Sequence, residues 1–326
     1  MKTGLLLPHF GDQASGEKII AGAIRAEQLG FDSVWVRDHI AFTPHGEFEN
    51  PDPSFLEALT VLTAVGAVTS RLQLGTGSLI PFRHPLQTAL TAATITQLAG
   101  PRLILGIGTG NFDAEFAAVG LGGVPRVGLA TETIEIMRAL WSGKPVSFHG
   151  EHYQFDDVTM VPGPAGGSVP VWFCGNTPRS LRLAVEHCEG WMPGRIGIDT
   201  LAQRVSTMRE LTAAAGRLPL TIGIIPSASV HENREQALAA VNVDGLLTWA
   251  NKARFWIKPP SGEFRDVSDL DGVLLYGTPD DVTAQVQRLA RAGAEHVVFD
   301  FRMSFNRWEE QMELIGTQVL PNLSSI

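Results

Sequence analysis

Short apolar runs alternate with longer amphipathic segments along the whole 326-residue chain. The runs are continuously apolar, which is typical of parallel strands covered on both faces rather than of half-exposed strands. Strands that alternate with helical segments predict repeated βα units. The predicted strands are residues 4–8, 31–36, 72–76, 103–107, 169–174, 190–192, 220–225 and 297–301.

Eight such strands with helices outside predict an α/β fold, the (β/α)8 TIM barrel. The alternative is a doubly wound open sheet, which is normally divided at a domain boundary, and no linker is visible in the sequence. We expect a single barrel domain over residues 1–326 with an insertion after the fourth βα unit, at about 144–168. Residues 242–273, which mix Trp, Lys, Pro and Gly, are expected to form a mobile cover.

The composition excludes several classes of partner. Lys and Arg number 25 against 34 Asp and Glu, which gives a net charge of −9 and argues against nucleic-acid binding. No apolar run approaches the roughly 20 residues that span a bilayer, and the N-terminus does not resemble a secretory signal, so a cytoplasmic location without membrane contact is expected. The two cysteines make no disulfide framework, and the histidines lack metal-ligand spacing, so no metal is expected.

In barrels of this type the active site lies at the carboxyl ends of the strands. Asp38-His39 follows the second strand, and an imidazole there is a candidate for proton transfer near neutral pH. Small residues follow three other strands and let the backbone approach a flat or phosphorylated ligand, unless they only make tight turns. These candidate cofactor-binding residues are Thr76, Gly77, Ser78, Gly108, Asn111, Gly175, Asn176 and Thr177.

Two of these loops have further alternatives. Gly175-Asn176-Thr177 precedes a helix that starts at Pro178, so free N–H groups and the positive helix end predict an anion site. Asn176 or Thr177 could instead be only the N-cap of that helix. The loop around Gly108 does not complete a dinucleotide-binding motif, because Asn111 stands where the third glycine is required.

Several blocks in this order resemble the luciferase-like flavin-dependent oxidoreductase superfamily, and the similarity extends over nearly the whole chain. Each block alone is unspecific, but together they are specific. They are residues 26–39 (AEQLGFDSVWVRDH), 74–77 (LGTG), 83–85 (RHP), 102–110 (RLILGIGTG) with Glu115 and Gly120 beyond it, 190–191 (GW) and 277–281 (GTPDD).

The resemblance implies a barrel with an insertion and a flavin lying across the carboxyl-end rim. Asp38 and His39 would then face the flavin ring, and Gly77-Ser78 would form a bulge with a non-prolyl cis peptide that supports it. The loop at Gly175–Thr177 would hold the cofactor phosphate. Asn111 stands where sugar-oxidising deazaflavin enzymes have a carboxylic acid, which argues against a sugar substrate.

The resemblance also implies the class of reaction. Asp-His after the second strand is similar to the branch that uses the deazaflavin coenzyme F420, so hydride transfer between F420 and a small organic substrate is favoured. The alternatives are a monooxygenase that uses FMN and oxygen, with a separate reductase supplying reduced cofactor, and a flavin-binding barrel without catalysis. A homodimer is expected by analogy. An apolar substrate wall is expected from Trp35, Phe112, Trp172 and Trp256, unless these are core residues.

Overall fold

The computed structural model describes residues 1–323 of the chain. Its strands are β1 (Lys2–Leu6), β2 (Ser33–Val36), β3 (Gln73–Thr76), β4 (Leu103–Gly108), β5 (Val146–His149), β6 (Gln154–Val158), β7 (Val171–Cys174), β8 (Gly190–Met192), β9 (Thr221–Ile224), β10 (Ser227–Val230), β11 (Leu274–Gly277) and β12 (His296–Phe299). Its α-helices are α1 (Gly16–Leu29), α2 (Ala58–Val68), α3 (Pro85–Ala99), α4 (Asp113–Ala118), α5 (Arg126–Leu140), α6 (Pro178–His187), α7 (Ile198–Ala214), α8 (Arg234–Ala239), α9 (Val243–Asn251), α10 (Pro279–Arg291) and α11 (Trp308–Leu314).

Eight of these strands close into a parallel barrel in the order β1-β12-β9-β8-β7-β4-β3-β2. They are the eight strands predicted from the apolar runs, so the (β/α)8 prediction is confirmed and the open sheet is wrong. The helix boundaries follow local signals. His84 caps α3 by accepting a hydrogen bond from the Leu86 N–H, and Gly30 ends α1 with a φ of 92°.

Two tryptophans fill the interior of the barrel. The rings of Trp35 and Trp172 lie 5.5 Å apart, and both side chains are buried. Glycines on neighbouring strands make the room, since a Cβ on Gly75 would lie 2.3 Å from the Trp35 ring and one on Gly223 would lie 2.6 Å from Trp172. The expectation that these tryptophans form a substrate wall is therefore wrong, because they pack against each other inside the barrel.

The insertion after the fourth βα unit is an antiparallel hairpin of β5 and β6. Its Phe148 and Phe155 rings stack at 6.2 Å, and the carboxylate of Glu132 on α5 accepts backbone N–H groups from the hairpin turn. Once the hairpin has returned, β7 pairs directly with β4. The barrel therefore closes as if the hairpin were absent.

The predicted cover contains α9 and a 3₁₀ turn at Val267–Leu270. Leu246 of α9 is fully buried, and the side chain of Asn242 donates to the carbonyl of Glu47, so α9 is fixed to the loop after β2. Its mobility stays a prediction.

Two features were not predicted. A further two-stranded sheet, besides the barrel and the β5–β6 hairpin, forms where β10 pairs in parallel with β11. The last helix, α11, ends at Leu314, and the chain continues as a π-helical turn, Ile315–Val319. Within residues 1–323, no helix has both the length and the apolar character needed to span a bilayer.

Candidate active site

A cavity of about 300 Å³ opens at the carboxyl ends of the barrel strands. It brings together nine of the ten residues predicted from the sequence: Asp38, His39, Gly77, Ser78, Gly108, Asn111, Gly175, Asn176 and Thr177. Thr76 is the exception. Its hydroxyl is buried in the barrel wall and donates to the carbonyl of Gly106 at 2.9 Å.

One side of the cavity, which we call the glycine half, consists of the tips of β3, β4 and β7: Gly77-Ser78, Gly108–Asn111 and Gly175–Thr177. The peptide bond between Gly77 and Ser78 is cis, as the family resemblance implied. A Cβ on Gly108 would lie 2.3 Å from the Ser78 hydroxyl, so only glycine allows these two tips to meet. The result is a surface of backbone and small side chains, against which a flat ring fits.

The end of the glycine half is the start of α6. Thr177 is the N-cap residue: its hydroxyl accepts the Ser180 N–H at 3.1 Å and lies 2.8 Å from the Ser180 hydroxyl. Gly175 has a φ of 153°, a region that favours glycine, and a Cβ there would lie 2.5 Å from the Ser180 hydroxyl. The N-cap reading is thus confirmed for Thr177. It leaves Asn176 on the cavity wall beside a positive helix end.

His39 lies across the cavity from this helix and has a partner for each ring nitrogen. Its Nδ1 is 3.1 Å from the Glu115 carboxylate, and its Nε2 is 3.2 Å from an Nη of Arg37. A carboxylate accepts and a guanidinium donates, so these partners assign the neutral tautomer with the proton on Nδ1. Glu115 also accepts the backbone N–H groups of Ile40 and Ala41.

The electrostatics of Glu115 favour the charged form. Burial alone would raise the pKa of its carboxyl, but the hydrogen bond from His39 and the two backbone N–H donors lower the pKa below its usual value. A charged, fully bonded carboxylate therefore orients the His39 ring. The sequence contained Glu115, but nothing in it indicated this contact across 76 residues.

Asp38 lines the same cavity, but both of its oxygens are bonded. Arg83 makes a two-pronged ion pair with them at 2.7 and 2.9 Å, and the Ile80 N–H donates to one of them at 3.0 Å. The side chain is 1% exposed. This geometry fixes the loop after β3 to the end of β2, beside the Gly77-Ser78 bulge.

The opposite side of the cavity carries a group of buried charges that the sequence did not reveal. We call it the arginine cluster: Arg37, Glu49, Arg195, Asp300 and Arg302. Arg302 binds Glu49 and Asp300, Arg195 lies 3.1 Å from Asp300, and Arg37 lies 3.5 Å from Glu49. All five side chains are at most 9% exposed.

These charges persist at neutral pH. Burial, with Arg302 nearby, lowers the pKa of Arg37 to about 9 and that of Arg195 to about 10, so both remain cations. Burial would raise the pKa of Glu49, but Arg37 and Arg302 hold it well below its usual value. Burial and the charge of Arg37 lower the pKa of the adjacent His45 to about 4, which leaves that ring neutral. The cluster thus holds one positive charge in excess.

The remaining candidates lie elsewhere. Trp256 packs against Trp249 and Phe264 in the cover, and the Phe112 ring lies 5.7 Å from the His39 ring and is tilted against it. Neither is among the residues that line the cavity. Within the described residues, no three His, Cys, Asp or Glu side chains are grouped so that they could hold a metal ion. Both cysteines are free, and burial raises the pKa of each thiol.

A barrel whose strand tips join a small-residue surface to a carboxylate-oriented histidine defines an enzyme-type site at the usual end of the TIM fold. The model of the luciferase-like monooxygenase family matches residues 1–296. The chain belongs to that family.

Relatives and solved structures agree with this assignment. The F420-dependent glucose-6-phosphate dehydrogenase of Kineococcus radiotolerans is 32% identical over 313 residues, which cover 89% of this chain and 90% of that protein. The 5,10-methylenetetrahydromethanopterin reductase of Archaeoglobus fulgidus is 27% identical, over 91% of this chain and 93% of the reductase.

Solved structures share the fold. An F420-dependent secondary alcohol dehydrogenase in complex with an F420-acetone adduct aligns with a TM-score of 0.80 and 23% identity, covering 99% of this chain and 98% of that one. The oxygenating constituent of 3,6-diketocamphane monooxygenase from Pseudomonas putida, in complex with FMN, aligns with a TM-score of 0.77 and 20% identity, covering 99% and 98%.

Proposed function

We propose that this protein is an oxidoreductase that transfers hydride between the deazaflavin coenzyme F420 and a small organic substrate. The single observation that carries the proposal is the placement of His39, held by Glu115 at 3.1 Å, in the same cavity as the glycine half. The alignment with the F420-dependent glucose-6-phosphate dehydrogenase of Kineococcus radiotolerans covers 90% of that protein, which supports the choice of cofactor.

The residues of the glycine half suit a flat, phosphate-bearing cofactor. Gly77-Ser78 and Gly108 would lie against the ring, and Asn176 with the first N–H groups of α6 would hold the phosphate. Thr109, Gly110 and Asn111 lie between these two regions on the cavity wall. When bound, the deazaflavin supplies or accepts a hydride.

The protein's own contribution is proton transfer and orientation. In the neutral tautomer, the Nε2 lone pair of His39 accepts from Arg37, and a substrate hydroxyl that replaces Arg37 at this atom can transfer its proton to it. The resulting imidazolium is stabilised by Glu115 on the other ring nitrogen, in the way that a carboxylate orients a catalytic histidine. Asp38 acts through Arg83 as a positioning residue for the rim of the cavity.

Cofactor titration tests the proposal. Purified protein is titrated with oxidised F420 and, separately, with FMN, and binding is followed by the quenching of cofactor fluorescence. We expect saturable F420 binding at least ten times tighter than FMN binding. Saturable binding of FMN alone would overturn the choice of cofactor. With F420 bound, His39→Ala is expected to lower the rate of hydride transfer by about 10² to 10⁴, with unchanged F420 affinity.

The second candidate is an FMN-dependent monooxygenase, which the family model and the FMN-bound structural neighbour favour. It predicts substrate-coupled oxygen uptake when a separate reductase supplies reduced FMN. A flavin-binding barrel without catalysis predicts instead that wild type and His39→Ala are equally inactive with every substrate tried. An oxygen electrode and a coupled reductase separate these outcomes.

We further propose that the protein acts as a cytoplasmic homodimer, as the sequence resemblance implies. Sedimentation equilibrium over a hundredfold range of concentration tests the dimer, and a mass of one chain throughout that range contradicts it.

A further inference from the structure

The arginine cluster contains more hydrogen-bond donors than its own acids can satisfy. Arg195 Nε and Arg302 Nε are buried and have no hydrogen-bond partner, and Arg37 Nη1 has only the Glu49 carboxylate at 3.5 Å. All three arginines line the active-site cavity. Buried polar groups are almost always paired, so these three nitrogens show that the cluster has fewer acceptors than donors.

The charge of the cluster leads to the same conclusion as its shortage of acceptors, because the cluster carries an excess of positive charge. Three guanidinium groups face two carboxylates, and the neighbouring His45 is neutral. The acids outside the cluster have donors of their own, since Asp38 is paired with Arg83, and Glu115 accepts from His39 and two backbone N–H groups. One positive charge therefore remains on the cluster, at the wall of the cavity.

The guanidinium groups are held rigidly by aromatic rings. Arg195 lies over Phe48 at 4.8 Å and over Trp249 at 5.2 Å, and Arg37 lies over Phe10 at 4.9 Å. Such stacking fixes the plane of a guanidinium while leaving its edge free for hydrogen bonds. A planar guanidinium edge matches the two oxygens of a carboxylate.

The cluster is also adjacent to the reacting histidine. Arg37 Nη2 is 3.2 Å from His39 Nε2, the atom that takes the substrate proton in the proposed function. A group bound by Arg37 and a hydroxyl that faces His39 are therefore separated by only a few atoms of the substrate.

We propose that the substrate is a small hydroxy acid or its keto acid, whose carboxylate binds the arginine cluster while its hydroxyl faces His39. This inference rests on the proposed function and adds the substrate class. In the oxidation direction, the carbinol carbon loses a hydride to oxidised F420 and its hydroxyl loses a proton to His39, which leaves the keto acid and reduced F420. The carboxylate takes no part in the bond changes.

The cofactor also carries an anion, the phosphate of its tail, which could supply the same chemistry. The fold favours the substrate, because the cluster comes from the tips of β2, β8 and β12, whereas the predicted phosphate loop follows β7 and precedes α6. The experiment below separates the two sources.

The first arm compares an anionic probe with a neutral probe of the same shape on the wild-type protein saturated with oxidised F420. Lactate and lactamide are titrated by calorimetry under conditions where no turnover is detected. We expect lactate to bind at least ten times more tightly than lactamide. Equal affinities, or binding of neither, would overturn the proposal. This arm needs no variant and no hydride transfer, so its failure is distinct from failure of the proposed function, which the F420 titration reports.

The second arm substitutes Arg195. Without Arg195 both acids of the cluster stay paired, since Arg302 still binds Glu49 and Asp300. Arg195→Met is expected to weaken lactate binding at least tenfold, with unchanged affinity for lactamide and for F420. Arg195→Lys should restore part of the lactate affinity, and Arg209→Met, at an exposed arginine on α7, should change nothing. Loss of F420 affinity with intact lactate binding would assign the cluster to the cofactor tail and overturn the proposal.

Discussion

The two sides of the cavity are built by different physical means. The glycine half depends on the absence of side chains, because its strand tips approach so closely that a Cβ on Gly108 would collide with Ser78. The arginine cluster depends on charge neutralisation, since five buried charged side chains form ion pairs that connect three strand tips. Steric fit therefore governs the first half, and charge balance governs the second.

This difference predicts which residues of the site contribute most to the free energy of unfolding. Arg302→Met is expected to have the largest effect. The substitution leaves Glu49 and Asp300 without their main partner, and breaking a buried ion pair in this way costs about 3–5 kcal/mol in the free energy of unfolding. Urea unfolding measures the change. Arg25→Met, which breaks an exposed pair with Glu313, is the control and should cost less than about 1 kcal/mol. Equal losses would remove the distinction between buried and exposed pairs.

The arginine cluster also makes the stability depend on pH. His45 has a pKa of about 4 in the folded protein and 6.5 as its ordinary value, so the unfolded chain binds more protons between these values. The stabilisation is complete above pH 6.5 and is lost as the pH falls toward 4, by about 3 kcal/mol.

Urea unfolding between pH 7.5 and 4.5 measures this dependence. His45→Asn is expected to reduce it by about 3 kcal/mol and to leave the part due to His9 and His296, whose pKa values burial lowers to about 4 and about 3. The exposed His149→Asn serves as the control and should leave the dependence as in wild type. A slope in His45→Asn as steep as in wild type would show that this ring does not contribute to the pH dependence.

The glycine half should respond in affinity rather than in stability. Gly108→Ala places a methyl group 2.3 Å from the Ser78 hydroxyl, so the two strand tips must move apart and we expect F420 binding to weaken by 10- to 30-fold. Gly122→Ala, at an exposed position where a Cβ makes only ordinary contacts, is the matched control. Fluorescence titration measures both. Unchanged F420 affinity in Gly108→Ala would place the cofactor elsewhere.

The smallest expected effect distinguishes two roles of Thr177, which are capping of α6 and binding of the cofactor. Thr177→Ala removes the N-cap of α6 and is expected to cost about 1 kcal/mol. Thr278→Ala removes the corresponding cap of α10 and should cost a similar amount. Only the first is expected to weaken F420 binding, by about threefold. If neither variant changes the affinity, Thr177 is a cap and nothing more.

The two halves also differ in how far they could be predicted from the sequence. The glycine half was visible because each of its pieces is a short local run directly after an apolar strand, and barrel topology alone brings such runs to one rim. The His39 position followed from the same rule, and the cis peptide at Gly77-Ser78 followed from the resemblance.

The arginine cluster could not be predicted, because its pairs are not local. Glu49 and Arg302 lie 253 residues apart in the chain, and each alone has the appearance of an ordinary surface charge. The Trp35 and Trp172 prediction failed for a related reason. The side chain of an aromatic residue in a strand can line the cavity or fill the barrel interior. The glycines on the neighbouring strands, which make room in the interior, decide between these two positions.

The tryptophan-filled interior has a kinetic consequence. Since the two indoles occupy the axis of the barrel, molecules that enter at the rim must leave by the rim. A cofactor on the glycine half and a substrate at the arginine cluster thus use the same opening. Their exchange is expected to follow a compulsory order, in which the later arrival departs first.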